Sequence, residues 1–330
     1  MYSKTPVFIL MASLLISSGG AWAQTSTSAF NLPHDPPIIN VAQAQKVADG
    51  ITVIPDNRIN YVPNIGIIEG KDAILVIDTG LGKENGDKVF TYAKTIAGPR
   101  KIYVTTTHFH PEHSFGVSEF KDAIFVVNRK QAQEIAEKGQ PYLAMFRNFG
   151  AVEKQALKDT VIGRPSVIYE KSMTLDLGDK QVQLLEMPAH TQGDQVVYVD
   201  GVVFLGDLVE NRFYPIMPDR DSNGEQWIKV LDDVLALKPA ISVPGHGALG
   251  DANLIKQVRD YLVNVRDQVS AAVRAGKTQE QTIEMLSPKL KALHPDWDNS
   301  VFIPYEISVF YAEISGEQLK LPDLLLDMQK

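Results

Sequence analysis

Five of the seven histidines lie in three short segments whose spacing is typical of a metal site. The first segment contains His108, His110 and His113, and two later segments contribute His190 and His246. Alternate residues of an extended segment point to the same side, so His108 and His110 can reach one ion. His113 lies one helical turn further on and can face a second ion. The pattern predicts a centre for two metals; the alternative is an exposed histidine-rich turn that binds none.

These residue types favour hydrolysis by a metal-activated water. Zinc accepts imidazole and carboxylate ligands, and a catalytic zinc site keeps one position open for water, whose pKa falls toward roughly 7. The chain contains no cysteine, which excludes thiolate ligands and a cysteine nucleophile, and it has no Gly-x-Ser-x-Gly motif. The metals, rather than a nucleophilic side chain, are therefore expected to carry the chemistry.

The histidine segments are predicted to follow strands of an α/β sheet. Strand Lys101 to Thr106 ends before the first segment, and strand Ala240 to Val243 ends before His246, which is where open α/β sheets place their ligands. Further strands are predicted over 51–54, 61–69, 73–77, 123–127, 167–169, 173–177, 181–185, 196–199 and 202–205. Helices are predicted over 87–97, 130–150, 224–237, 251–277, 278–286 and 307–319, with Pro288 between the last two. Strand and helix runs thus recur twice, which indicates a layered α/β sandwich.

The first 23 residues are predicted to be a signal peptide. Lys4 precedes an apolar run from Pro6 to Ile16, and Ala21-Trp22-Ala23 matches a cleavage site before Gln24. The alternative is a membrane anchor, but the run is shorter than the roughly 20 residues that a spanning helix needs. We therefore expect a periplasmic or secreted protein without stable membrane insertion after cleavage. Residues 24–40 are polar and rich in proline, which predicts an extended lead-in.

Composition and charge indicate a globular protein that does not bind nucleic acid. The chain is 44% hydrophobic and 22% charged, as in an ordinary globular protein, so disorder is not indicated. A formal net charge of −8 gives no basic footprint for nucleic acid. A small-molecule substrate is the expected partner.

The segment His108-Phe109-His110-Pro111-Glu112-His113, followed by His190, Leu205-Gly206-Asp207 and Pro244-Gly245-His246-Gly247, resembles the metallo-β-lactamase superfamily of metallohydrolases. The upstream segment Val76-Ile77-Asp78-Thr79-Gly80 also fits. The resemblance covers residues 50–250 and implies a four-layer αβ/βα sandwich over 41–250. Residues 251–330 are predicted to be a helical C-terminal extension packed on the same domain.

The resemblance also implies a set of zinc ligands. It assigns His108, His110 and His190 to a first ion, His113 and His246 to a second, and Asp207 as the bridge between them. Asp78 matches an acidic residue that orients a ligand imidazole. For Asp78 and for Asp207 the alternative is a turn residue at the end of a strand.

Glu112 stands where this family usually has aspartate. The extra methylene moves the carboxylate by about one C–C bond, whereas ligation tolerates distances only within roughly ±0.2 Å. The affinity of the second site therefore depends on a local adjustment of the backbone. Glu112 is predicted to ligate the second ion, and the alternative is a proton acceptor beside the bound water.

The expected substrate contains an ester, lactone, thioester or β-lactam bond. The bridging position holds Asp207, as in glyoxalase II-like and lactonase-like members, where the best known lactamases have cysteine. Three residues later, Glu210 replaces a lysine that lactamases use for a substrate carboxylate, and it would repel an anion. Arg212 or Arg220 could compensate, or each could be a solvated loop charge.

Two further segments are candidates for the wall of a substrate pocket. Pro55 to Pro63 matches the position of a flap over the metals in the family, with Tyr61 facing the pocket. Met145, Phe146 and Phe149 could form a lid, although a helical apolar stripe is more often core.

Two other functions remain open at this point. One is a mononuclear iron oxidoreductase similar to persulfide dioxygenases, which an altered second site at Glu112 would allow. The other is a periplasmic protein that binds metal without turnover, because ligands alone do not establish a catalytic pocket.

Overall fold

The computed structural model describes residues 35–322. The predicted signal peptide, residues 1–23, lies outside the described residues, as does most of the lead-in 24–40. Residues 35–40 contain no helix or strand. Among the described residues, no helix combines the length and the apolar character that crossing a membrane requires.

Seven strands form the first sheet, in the order of the chain. They are β1 (Gln45–Ala48), β2 (Ile51–Ile54), β3 (Ile65–Glu69), β4 (Ala73–Ile77), β5 (Lys101–Thr105), β6 (Ile124–Asn128) and β7 (Val167–Tyr169). Strands β1 to β4 pair antiparallel, and β4 to β7 pair parallel. The parallel part therefore directs the carboxyl ends of β4 and β5 to one edge of the sheet.

Five strands form the second sheet, in the order β12-β11-β10-β9-β8. They are β8 (Ser172–Asp176), β9 (Gln181–Glu186), β10 (Gln195–Val199), β11 (Val202–Phe204) and β12 (Ile241–Val243). Strands β8 to β11 pair antiparallel, and β11 pairs parallel with β12. The carboxyl ends of β9, β11 and β12 thus point the same way.

The eight α-helices of the described residues lie outside the two sheets or in the loops at their edge. They are α1 (Gly82–Ala97), α2 (Pro111–Ser114), α3 (Arg129–Arg147), α4 (Ala151–Ala156), α5 (Gly224–Ala236), α6 (Ala252–Arg274), α7 (Gln279–Leu293) and α8 (Ile303–Ser315). Helices α1 and α3 cover the first sheet, and α5 to α8 cover the second.

Alternation along β4 shows how the layers are held together. Ile74 and Val76 pack against the helices of the first layer, whereas Leu75 and Ile77 pack into the core between the two sheets. All four side chains are buried, as expected for a central strand that is covered on both faces. The arrangement is a four-layer αβ/βα sandwich with a helical C-terminal region, and the predicted fold class is confirmed.

The strand predicted over 61–69 begins later than expected, at Ile65. Tyr61 has a φ of 59°, in the left-handed region, so the chain turns there instead of extending into the sheet. Strand β1 was not predicted, because its residues are exposed or half-buried and lack an apolar alternation. The last helix begins earlier than predicted, at Ile303, with Pro304 in the first turn, where proline is tolerated.

The predicted interruption at Pro288 is wrong, since α7 continues through it to Leu293. A proline inside a helix removes one hydrogen bond and costs about 3 kcal/mol or more. Leu286 and Leu290, on either side of Pro288, are both buried in the core that α7 forms with α6 and α8. Burial of these two side chains outweighs the local cost.

Replacing Leu262 by alanine is expected to destabilise the fold by about 2–5 kcal/mol, because it deletes a fully buried side chain from the core under α6. Urea denaturation followed by circular dichroism measures the change. Asn264→Ala, at an exposed position of the same helix, is the control and should stay within about 0.5 kcal/mol of the wild type. Equal midpoints for the two variants would contradict the packing described.

Candidate metal centre

The segments that carry the predicted ligands meet at one edge of the two sheets. His108 follows β5, and Asp207 and His246 follow β11 and β12. His190 follows β9, which runs in the same direction as β11. His113 lies in the short helix α2, which turns its ring back toward this edge. Strands that run in the same direction place their carboxyl ends at the same edge of a sheet. Residues far apart in the sequence therefore converge at this edge.

The first group of donors comprises His108, His110, His190 and Asp207, with one ligand atom from each within 4.8 Å of the others. His190 Nε2 lies 3.0 Å from His110 Nδ1. Asp207 Oδ2 lies 3.7 Å from His108 Nε2 and 3.9 Å from His190 Nε2. All four residues are buried.

The second group comprises Glu112, His113, Asp207 and His246, whose ligand atoms also lie within 4.8 Å of one another. Asp207 Oδ1 lies 3.2 Å from His113 Nε2 and 3.7 Å from His246 Nε2. The two oxygens of Asp207 thus face different groups of histidines. The structure brings together all seven residues predicted as ligands, with Asp207 between the two groups.

The remaining nitrogen of each ring contacts a fixed polar atom of the protein. The pairs are His108 Nδ1 with Thr107 Oγ1 (3.2 Å), His110 Nε2 with Asp219 Oδ2 (3.4 Å), His113 Nδ1 with Asp78 Oδ2 (2.9 Å), His190 Nδ1 with the Ile216 carbonyl (2.7 Å) and His246 Nδ1 with the Val62 carbonyl (3.0 Å). An acceptor at the outer nitrogen fixes the tautomer, so that the inner nitrogen presents a lone pair.

Asp78 lies directly after β4, in a left-handed conformation with φ of 66°. Its Oδ1 accepts a hydrogen bond from the Thr107 backbone N–H at 2.6 Å, and its Oδ2 lies 2.9 Å from His113 Nδ1. One carboxylate therefore holds both the loop before the histidine segment and the ring of His113. This geometry supports the orienting role predicted for Asp78.

Burial favours the neutral ligand form of two of the rings. It lowers the pKa of His190 to about 3, and it lowers the pKa of His108 well below its usual value. Burial opposes a charge on His113 as well, yet the carboxylates of Asp207 and Asp78 hold the pKa of that ring well above its usual value. The concentration of carboxylate charge around His113 is the environment that a cation would also find there.

The residues present fit metal ions. His108 Nε2 and Glu112 Oε2 are buried without a hydrogen-bond partner, although buried polar atoms are nearly always paired. The outer contacts of His110 and His190 leave two lone pairs facing each other 3.0 Å apart, which a shared cation would reconcile. Imidazole and carboxylate donors without thiolates suit zinc, and they also suit other first-row metals.

The sequence model of the metallo-beta-lactamase superfamily matches residues 59–246, which is more than half of the chain and contains every candidate ligand. The chain belongs to the metallo-beta-lactamase superfamily. The resemblance predicted from the histidine segments is therefore confirmed. The superfamily fold also accounts for two sheets that bring their loops to a shared edge.

Relatives within the metallo-beta-lactamase superfamily include hydrolases of different substrates. Acyl-coenzyme A thioesterase MBLAC2 of Homo sapiens is 25% identical in an alignment of 224 positions that covers 60% of this chain and 78% of that protein. The linear primary-alkylsulfatase of a Pseudomonas strain is 22% identical in an alignment of 269 positions that covers 69% of this chain and 51% of the sulfatase. The solved structure of a metallo-beta-lactamase family protein from Thermus thermophilus covers 82% of this chain and 95% of its own, with a TM-score of 0.59 at 16% identity. The superfamily match and the thioesterase and sulfatase relatives support a hydrolase, and the solved structure supports the fold.

Glu112 begins the second group from the first turn of α2. Its Oε2 is buried without a partner, as expected of a carboxylate that faces a cation. Glu112→Asp is expected to retain or strengthen metal binding at the second group, because aspartate is the usual residue of the family and short-chain carboxylates lose less rotamer freedom. Metal titration by calorimetry, with Glu112→Gln as the matched variant, measures the change. Unchanged stoichiometry and affinity in both variants would contradict a ligand role.

A cavity of about 280 Å³ opens above the two donor groups. Tyr61 lines it from the loop before β3. Met145, Phe146 and Phe149 also line it, and all three are buried in the core of the first layer, which is the alternative that the sequence left open. Arg58 also lines the cavity, whereas Arg212 is exposed and pairs with Asp296. Among the described residues that line the cavity, Arg58 is the one arginine and there is no lysine.

Glu210 lines the same cavity with its side chain almost fully buried. Burial and the nearby charge of Asp207 hold the pKa of Glu210 well above its usual value. The repulsion of an anionic substrate by Glu210 stays a prediction.

Sequence reasoning missed Asp219, which contacts the outer nitrogen of His110 and accepts a hydrogen bond from the Tyr142 hydroxyl. Asp219 lies in the loop before α5, where no periodicity or motif distinguishes one carboxylate from another. Together with Glu134 and Asp221 it forms a third acidic group, and Lys138 Nζ lies 2.9 Å from Glu134 and 2.8 Å from Asp221. The ammonium group of Lys138 therefore supplies the positive charge among these three carboxylates.

Proposed function

We propose that the protein is an exported, zinc-dependent hydrolase that cleaves an ester, lactone, thioester or β-lactam bond at two metal ions. The observation that carries the proposal is the pair of donor groups that share Asp207 at the floor of an open cavity. When bound, two such ions would lower the pKa of a water molecule and polarise the substrate's carbonyl group, whose carbon the water attacks. The export step rests on the sequence features of residues 1–23.

The chain's own residues would hold this centre rigid. His108, His110 and His190 would bind the first ion, and Glu112, His113 and His246 the second, with Asp207 shared. Carbonyls at Ile216 and Val62 and the carboxylate of Asp78 fix the outer nitrogens, so the rings cannot turn away when substrate enters. If Glu112 does not bind the second ion, its carboxylate is the alternative acceptor for the proton that leaves the attacking water.

The lining of the cavity favours an acyl ester or thioester over a β-lactam. No lysine lines it among the described residues, although lysine is the residue that the best known lactamases use for the substrate carboxylate. Arg58 is the remaining cation, and its guanidinium already pairs with Asp298. The thioesterase relative, of which this chain covers 78%, supports the same preference.

The mononuclear iron alternative and the non-catalytic alternative explain less of the geometry. A one-metal enzyme would leave Glu112, His113 and His246 converging on Asp207 without a role. A metal-binding protein without turnover would not need a cavity that reaches both donor groups. We therefore place hydrolysis first.

A panel of chromogenic acyl esters, thioesters, lactones, sulfate esters and β-lactams tests the proposal. We expect turnover of at least one acyl substrate, loss of activity after dialysis against a chelator, and recovery on addition of zinc. Protein that has bound two zinc ions and hydrolyses none of these compounds would refute it.

A further inference from the structure

One side of the cavity is an apolar wall formed by Tyr61, Tyr142, Met145, Phe146 and Phe149. The ring centroids of Phe146 and Phe149 are 4.6 Å apart, and Tyr61 lies 5.6 Å from the first ring and 6.4 Å from the second. Four of the five residues come from α3 and the turn that follows it. The rings and the Met145 side chain make the wall largely apolar, and the hydroxyl of Tyr142 donates a hydrogen bond to Asp219.

The apolar wall begins at the donors of the first group. The ring of Tyr142 stacks on His110, with centroids 5.4 Å apart and planes inclined by 18°. Tyr142 also lies 6.3 Å from Phe146, which continues the wall away from the centre. A group bound against the wall therefore lies directly beside the place where a scissile bond would meet the metals.

The mouth of the cavity is of mixed character, because charged and polar side chains lie there beside apolar ones. Arg58, Asn60 and Val301 line the cavity and are exposed to solvent. The guanidinium of Arg58 lies 4.4 Å from the centroid of the Phe213 ring and pairs with Asp298 across the rim. A polar group that faces the mouth keeps its hydration, whereas a polar group placed on the apolar wall would lose it.

We propose that the substrate is an acyl compound with an apolar arm of several carbon atoms, which lies on the apolar wall while the leaving group faces the mouth. The inference rests on the proposed function, because it assigns the two ends of the same scissile bond. The proposal specifies that the enzyme distinguishes substrates mainly by their acyl group. The leaving group contributes less, since it remains close to water.

Binding of uncharged amides tests the orientation without requiring turnover. Calorimetric titration of the metal-loaded protein with butyramide, pentanamide, hexanamide and octanamide should show Kd falling about three- to fourfold per added methylene, the value for apolar burial. The length-matched polar probe 6-hydroxyhexanamide should bind at least about tenfold more weakly than hexanamide. A Kd that is independent of chain length, or equal for the matched pair, would overturn the proposal.

Two variants locate the effect on the apolar wall. Phe146→Ala should reduce the dependence of Kd on chain length by about half, since it deletes the central ring of the wall. Ile168→Ala, at an exposed position of β7 that does not line the cavity, should preserve that dependence. Because Phe146 is buried, Phe146→Leu is measured alongside and thermal unfolding is recorded for each variant; an unchanged dependence in both Phe146 variants would overturn the assignment.

Hydrolysis of matched nitrophenyl esters from butyrate to octanoate separates this inference from the proposed function. KM should fall along the acyl series and change little when the leaving group is varied at constant acyl length. Chain-length-dependent amide binding without hydrolysis of any compound of the panel would refute the proposed function and leave the apolar wall as a binding surface for the acyl chain. Chelator-sensitive hydrolysis without any dependence on acyl length would do the reverse.

Discussion

Replacing Asp207 by alanine is expected to lower kcat/KM for an acyl substrate by about 10³-fold or more, which is the largest effect of any single substitution. Asp207 is the one residue that belongs to both donor groups, with a different oxygen facing each. Its loss removes a ligand from both ions at once. Metal-derived stabilisation amounts to several kcal/mol, and each 1.4 kcal/mol is tenfold in rate.

Bound metal should decline together with activity in Asp207→Ala, from about two ions per chain to one or fewer. Inductively coupled plasma mass spectrometry and ester hydrolysis on the same preparation measure both quantities. Asp233→Ala, at an exposed position on α5, is the control and should behave as the wild type. A folded Asp207→Ala protein that retains two ions and full activity would rule out the shared position.

The second large effect is expected for His110→Ala, which should lower kcat/KM by about 10²- to 10³-fold. His110 Nδ1 faces His190 Nε2 in the first group, and no other described side chain is placed to replace it. The second group retains all four of its donors, so one ion should remain. The variant therefore separates the contribution of the two sites.

His294→Ala is the matched control, because it removes an imidazole that stacks on Trp297 outside the centre. Its metal content and activity should equal those of the wild type. Stoichiometry in His110→Ala should fall by about one ion per chain. Loss of both ions, or of neither, would contradict two separate groups of donors.

The sequence predicted the buried parts of the fold well, because their signals are local. Five consecutive apolar residues at Ala73–Ile77 predicted β4, and the apolar spacing from Leu254 to Val273 predicted α6. The prediction of a helix end failed where tertiary packing overrides the local signal of a proline. Leu286 and Leu290 hold α7 together across Pro288, and no local rule reports how deeply those two side chains are buried.

The candidate site was predictable where the residue type itself limits the chemistry. Histidines at alternate positions and at strand ends indicated the donors, and the structure places all of them at one edge. The partners of the outer nitrogens could not be predicted, because two are backbone carbonyls, at Val62 and Ile216, and one is Asp219 in an irregular loop. The folding of the chain places these acceptors beside the histidine rings, and no local sequence pattern reports it.

Metal quantification on freshly purified protein, with chelator-sensitive acyl ester hydrolysis recorded on the same sample, tests the central claim most directly. The geometry predicts about two zinc ions per chain and activity that disappears with chelator and returns with zinc. One iron per chain with oxygen consumption, or hydrolysis that persists in metal-free protein, would contradict it.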